Sequence, residues 1–128
     1  NKAVNIKKMA EDVLNKFGGV VPKTLDELTT LSGVGRKTAN VMISEAFNGD
    51  AIAVDTHVLR VSNRLGIIKS NDVFKVEQAL MKNFPKEKWS NLHFQMVLFG
   101  RYKCKALRPE CKDCPFISFC TEEKKNLK

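Results

Sequence analysis

Apolar residues recur at helical spacing along most of this chain, and no segment shows sustained strand alternation; that pattern admits few architectures. Ile6, Met9, Ala10, Val13, Leu14 and Phe17 form one apolar stripe, which Gly18 and Gly19 then stop. Thr24 to Glu27, "TLDE", has a hydroxyl at the N-cap and a carboxylate three residues later, a capping box that opens a short helix through Leu28 and Leu31. A further helix is expected from near Arg36 towards Phe47. Another is capped by Asp55 or Thr56 and stops at Gly66, and one capped by Asn71 or Asp72 ends before Pro85. A last long helix should hold Trp89, Leu92, Met96, Val97 and Phe99. The expectation is an all-α chain with short connections, and with a tail "EEKKNLK" that frays.

Between the second and third helices stands "LSGVGRKTAN", two short helices joined by "SGVG". Glycine accepts positive φ and has no side chain to hold a backbone away from a ligand. The amides of Val34, Gly35 and Arg36 would lie near a helix N-terminus, where orphan donors and the helix dipole favour an anion such as a DNA phosphate. A tight turn with no ligand is the plainer alternative. Apolar Leu31 and Val34 around the turn, a helix on each side and a net charge of +8, from 22 Lys plus Arg against 14 Asp plus Glu, together favour phosphate binding. No apolar run is long enough to span a membrane, and no signal segment opens the chain, which reads as soluble and intracellular.

All four cysteines fall in "CKALRPECKDCPFISFC", spaced C-x6-C-x2-C-x5-C at Cys104, Cys111, Cys114 and Cys120. Confinement to one stretch suits a metal site better than disulfides. Zinc commonly takes two close cysteine pairs, and only Cys111 and Cys114 make one; the uneven spacing favours an iron-sulfur cluster modestly.

"LSGVGRKTANV" followed by "AVDTHVLRVSNRLG" resembles the endonuclease III branch of the helix-hairpin-helix DNA glycosylases, and the resemblance extends through the cysteine spacing. The family commonly has proline where this chain has Ser32. The resemblance implies a helix-hairpin-helix glycosylase fold with a small C-terminal [4Fe-4S] lobe held by Cys104, Cys111, Cys114 and Cys120. It makes Lys37 the Schiff-base nucleophile and Asp55 the essential carboxylate. On the residues alone, Lys37 reads as a solvated lysine and Asp55 as an N-cap. His57 is expected to cap, pack or touch phosphate, without a catalytic role, and His93 to be structural.

The implied activity is base excision of oxidised pyrimidines from double-stranded DNA, with lyase cleavage at the resulting abasic site. DNA contacts are expected from Gly33, Val34, Gly35 and Arg36 of the hairpin, and from Lys105 and Arg108 of the cysteine loop. A non-catalytic DNA-binding module that keeps hairpin and cluster is the alternative, and a zinc-bound adaptor a third. The resemblance covers the C-terminal part of the family pattern, so the N-terminal part of the fold is expected to be absent, and Asn1 reads as the start of a fragment. Two segments are expected, 1–66 with the hairpin at 25–47, and 67–128 leading into the cluster lobe. A full-length monomer, cytoplasmic and nucleoid-associated in a bacterium, completes the expectation.

Overall fold

The structure, a computed structural model, describes all 128 residues. It is helical throughout, with no strand. Packing divides it into two compact units, Asn1–Ala51 and Ile52–Lys128.

The first unit holds α1 (Lys2–Phe17), α2 (Leu25–Thr29) and α3 (Arg36–Glu45). Asn1 caps α1, and Gly18, at φ 61°, ends it. The Thr24 hydroxyl accepts from the Glu27 amide at 3.2 Å and donates to the Glu27 carboxylate at 2.8 Å, so the expected box closes through the hydroxyl. Leu31 lies beyond the end of α2 yet is buried with Leu28 and Ala39, and Met9, Val13 and Phe17 of α1 pack on that cluster. Ile6 and Leu14 of α1 remain exposed.

The second unit holds α4 (Thr56–Arg64), α5 (Val73–Asn83), a 3-10 turn (Lys86–Lys88) and α6 (Trp89–Tyr102). Ile52, Val54, Val58, Val61, Val76, Leu80, Trp89 and Met96 form its core. Each such side chain contributes about 1.5–3 kcal/mol on burial. A helix cap contributes about 1 kcal/mol, so packing rather than capping holds these helices together. The segment boundary expected at 66/67 falls inside this unit, because Val58 and Val61 of α4 share the core with Val76 and Leu80 of α5 and Met96 of α6. Gly100 lets α4 and α6 approach: a Cβ there would stand 3.0 Å from the His57 Cβ and 3.2 Å from a Val61 methyl.

The tail does not fray as expected. The Asn126 side chain donates to the Pro109 carbonyl at 3.0 Å, its own carbonyl accepts from the Cys111 amide, and Glu122 pairs with Arg64. No helix is long and apolar enough to cross a membrane.

Candidate functional site

Three groups of residues from the sequence take definite places: the hairpin with Lys37 in the first unit, and Asp55 and the cysteines in the second.

Between α2 and α3 the chain makes one tight turn, Leu31 to Val34, closed by the Val34 amide donating to the Leu31 carbonyl at 3.2 Å. The two glycines of "SGVG" do different work. Gly33 has φ 78°, the left-handed region that an L side chain rarely adopts. Gly35 has φ −92° and ψ 179°, an ordinary extended conformation, and a Cβ there would meet nothing within 4 Å. Gly33 therefore serves the turn, and Gly35 keeps a surface open. The Val34 amide, expected to face an anion, is committed to the turn instead. The amides of Gly35, Lys37 and Thr38 donate to nothing in the chain.

Asn1, Thr24, Asp55 and Asp72 each cap their helix with a side-chain oxygen; α3 begins at Gly35 with no side-chain cap. Its N-terminus thus presents unpaired N–H donors and the positive end of the helix dipole to solvent. Arg36 and Lys37 are both exposed in that first turn. The exposed Lys37 is thus solvated, as its residue type and position alone suggest.

Asp55 is held in the opposite way. It follows the buried run Ala51–Val54, whose Ala53 carbonyl accepts from His93 Nδ1 at 2.9 Å. One carboxylate oxygen of Asp55 caps α4 by accepting from the Val58 amide at 2.8 Å, and the other accepts from His57 Nδ1 at 3.0 Å. Its side chain is 16% exposed. Burial pushes the Asp55 carboxyl up, but the Val58 amide, the His57 bond and the His57 and His93 charges outweigh it and hold it below its ordinary value. It is therefore a fixed carboxylate with part of its surface open. His57 is neither a cap nor mere packing; it is the side-chain partner of Asp55.

The four cysteines are free thiols lining one small cavity, with Arg64, Leu65, Phe99, Pro109, Ile117 and Glu122. No three of them are gathered as ligands of one metal ion. A cube with four iron corners asks something different, one thiolate for each corner. The residues present fit such a group: four thiols on one cavity, with the Arg64 cation at its wall.

Two arginines that sequence reasoning passed over brace the backbone around Cys104, and one of them, Arg64, lines the cavity. Arg64 reaches the carbonyls of Lys105 at 2.7 Å and Ala106 at 3.3 Å, and the Cys104 sulfur at 3.4 Å. Arg60 reaches the carbonyls of Cys104 at 3.1 Å and Gly100 at 2.6 Å. Their signal is in the sequence, since an arginine pair spaced i,i+4 lies on one helix face. Of the loop cations, Lys105 pairs with Glu110, which Lys103 also approaches at 3.8 Å, while Arg108 is exposed with φ 50°.

Residues 1–86 match the family described as HhH-GPD superfamily base excision DNA repair protein. The chain is 54% identical over 129 residues to Endonuclease III of Bacillus subtilis (strain 168), covering 100% of this chain and 59% of that protein. It is 43% identical over 125 residues to Endonuclease III of Haemophilus influenzae, covering 98% of this chain and 59% of the relative. Among solved structures, a non-covalent Endonuclease III–DNA complex superposes with a TM-score of 0.92 at 54% identity, over 95% of this chain and 57% of that one. A thermostable thymine-DNA glycosylase superposes with a TM-score of 0.80 at 25% identity, over 94% of this chain and 57% of that chain. The chain thus spans about 59% of the length of these curated relatives.

Proposed function

Because this chain belongs to the HhH-GPD superfamily of base excision DNA repair proteins, we propose that it serves a DNA glycosylase and abasic-site lyase acting on oxidised pyrimidines in double-stranded DNA. The carrying observation is α3: a helix start with unpaired amides and no side-chain cap, bearing an exposed lysine in its first turn.

The Gly35, Lys37 and Thr38 amides take a backbone phosphate, with the Arg36 charge beside them. The damaged nucleotide leaves the stack, since its C1′ is out of reach within a duplex. The Lys37 amine, having shed its proton, attacks C1′. The bond from C1′ to the base breaks with its electron pair on the base, which takes up a proton as it leaves. Opening of the sugar ring converts the adduct to an imine, which acidifies the neighbouring carbon. Loss of a proton there expels the 3′ phosphate, a β-elimination that cuts the strand. As the base departs, positive charge builds on the sugar, and the ionised Asp55 carboxylate is the group suited to offset it. Its low pKa suits this role better than that of a proton donor, because a donor would have to hold its proton near neutral pH.

Cys104, Cys111, Cys114 and Cys120 are the proposed ligands of a [4Fe-4S] cluster. When bound it cross-links Cys104 at the end of α6 to the loop and tail, holding Lys105 and Arg108 where a phosphate can meet them. Anaerobically purified protein should absorb broadly at the blue end of the visible; stoichiometric zinc without that band would replace the cluster assignment.

Borohydride tests the nucleophile. It should reduce the imine and leave a covalent complex with abasic-site DNA, while Lys37→Ala forms none. Undiminished trapping by Lys37→Ala would take the role away from this lysine.

A further inference from the structure

We propose that Asn5, on α1, is a positioning residue for the phosphate grip of the hairpin. It acts by holding, through Ser32, the turn from which the open amides of α3 project. The proposal rests on the phosphate-binding reading of that helix start.

The turn explains why something must hold it. Leu31 to Val34 is a four-residue turn with Gly33 third at φ 78°, the φ that marks a type II turn. Its second position is where proline is favoured, because the ring presets φ near −65°. This chain has Ser32 there, which carries no such restraint. The Ser32 amide donates to no group in the chain, so the backbone does not fix this corner either.

The restraint comes from a side chain 27 residues earlier in the sequence. The Ser32 hydroxyl donates to the Asn5 side-chain carbonyl at 3.1 Å in a half-buried setting. Asn5 also lies directly against the next corner. A Cβ built on Gly33 would stand 2.9 Å from the Asn5 Cβ and 3.3 Å from its amide carbon and nitrogen. One side chain therefore touches both central residues of the turn. Further along the same helix, Met9, Val13 and Phe17 pack on the cluster of Leu28, Leu31 and Ala39. That packing gives Asn5 a firm base. With the turn fixed, Gly35 is delivered in its extended conformation and the amides of α3 keep one direction. With the turn loose, those donors spread over several directions, and binding must first order them.

The test uses the longest natural chain carrying these residues, loaded with its cluster, and a duplex with a tetrahydrofuran abasic-site analogue, read by fluorescence anisotropy. Asn5→Ala and Ser32→Ala should each weaken binding about three- to tenfold, the range of one net hydrogen bond. The double variant should bind no more weakly than the worse single one, because both remove the same link. Adding Ser32→Pro to Asn5→Ala should restore affinity to within about twofold, since the ring supplies the lost restraint without losing a backbone bond. A merely structural role for Asn5 would not be rescued at residue 32.

Full affinity in Asn5→Ala, multiplying losses in the double variant, or no rescue by proline would each overturn the proposal. Should Asn5→Ala not fold, Ser32→Ala decides alone, with full affinity overturning it. Gly35→Asp separates the phosphate grip from the role of Asn5, since Gly35 has ordinary φ and open space around it. A carboxylate there should repel phosphate. If Gly35→Asp binds at full strength, the phosphate reading falls; if it binds poorly while Asn5→Ala binds fully, only the role of Asn5 falls.

Discussion

The N-terminus of α3 is open and that of α4 is closed, and each carries one of the two residues assigned to chemistry. At α3, amides donate to nothing and Lys37 stands exposed. At α4, Asp55 is itself the cap and has both carboxylate oxygens engaged. An open helix start can take its anion from outside, whereas a capped one already owns it. The difference matches the roles proposed for the two groups. A nucleophile has to travel and form a bond, so tethering it in advance would hinder it. A carboxylate that offsets charge acts best when it is already fixed and ionised, with no reorganisation left to make.

The sharpest attempt to break this contrast exchanges function for structure at Asp55. Asparagine caps a helix about as well as aspartate. Asp55→Asn should therefore change the melting temperature little, while base removal slows about a hundred- to thousandfold, as for loss of one preorganised electrostatic group. Single-turnover kinetics beside thermal melts would show it. Equal losses in both would make Asp55 only a cap.

The two hairpin glycines should separate next. Gly33→Ala forces a side chain into positive φ and against Asn5, and should destabilise the protein by about 1–3 kcal/mol in chemical denaturation. Gly35→Ala meets no obstacle and should leave stability within about 0.5 kcal/mol. Its effect should fall on DNA affinity instead.

Acid titration probes the closed helix start. The Asp55 carboxyl lies below its unfolded value, so its contribution to stability is complete above about pH 3.9 and is lost as pH falls through the folded value. The gap in melting temperature between the protein and Asp55→Ala, which loses the cap as well as the charge, should be constant from pH 5 to 7 and narrow only below about pH 4. A gap that stays unchanged below about pH 4 would mean that the Asp55 charge adds nothing to the cap.

The smallest effect concerns the cysteine loop. Lys105 is engaged by Glu110, which the Lys105 bond and charge hold below its ordinary pKa. DNA bound at this loop, as proposed, would compete with that carboxylate. Lys105→Ala should reduce the salt slope of log K by about one. Glu110→Gln should strengthen binding a few-fold at low salt. If neither variant moves the slope, this loop is not part of the interface.

Local chemistry made the helices legible in the sequence. Caps at Thr24, Asp55 and Asp72 and the stop at Gly18 lie within one turn of what they control. The positions of Lys37 and Asp55 at helix starts were legible for the same reason. Long-range pairings were not. Asn5 with Ser32, Arg64 with the Lys105 carbonyl and Asn126 with Pro109 join residues 27, 41 and 17 apart, and no periodicity points from one to the other. Nor does the string "SGVG" tell which glycine needs positive φ. That follows from which amide closes the turn, and it removed Val34 from the donors expected to face phosphate. The tail was misread because composition alone suggested solvation, whereas Asn126 bonds the folded cysteine loop and Glu122 pairs with Arg64 of α4.

Helix α4 has a further property that neither end shows alone. Asp55 caps its first turn, and Arg64 in its last turn holds the backbone around Cys104. The nine residues of Thr56–Arg64 rise about 1.5 Å each, so the two tasks are set about 14 Å apart along the axis. Each residue also turns the helix by about 100°. Inserting or deleting a single residue would swing Arg64 a quarter-turn or more away from the loop while leaving the cap intact. The length of α4 is thus a gauge block, whose residue count sets the placing of both ends.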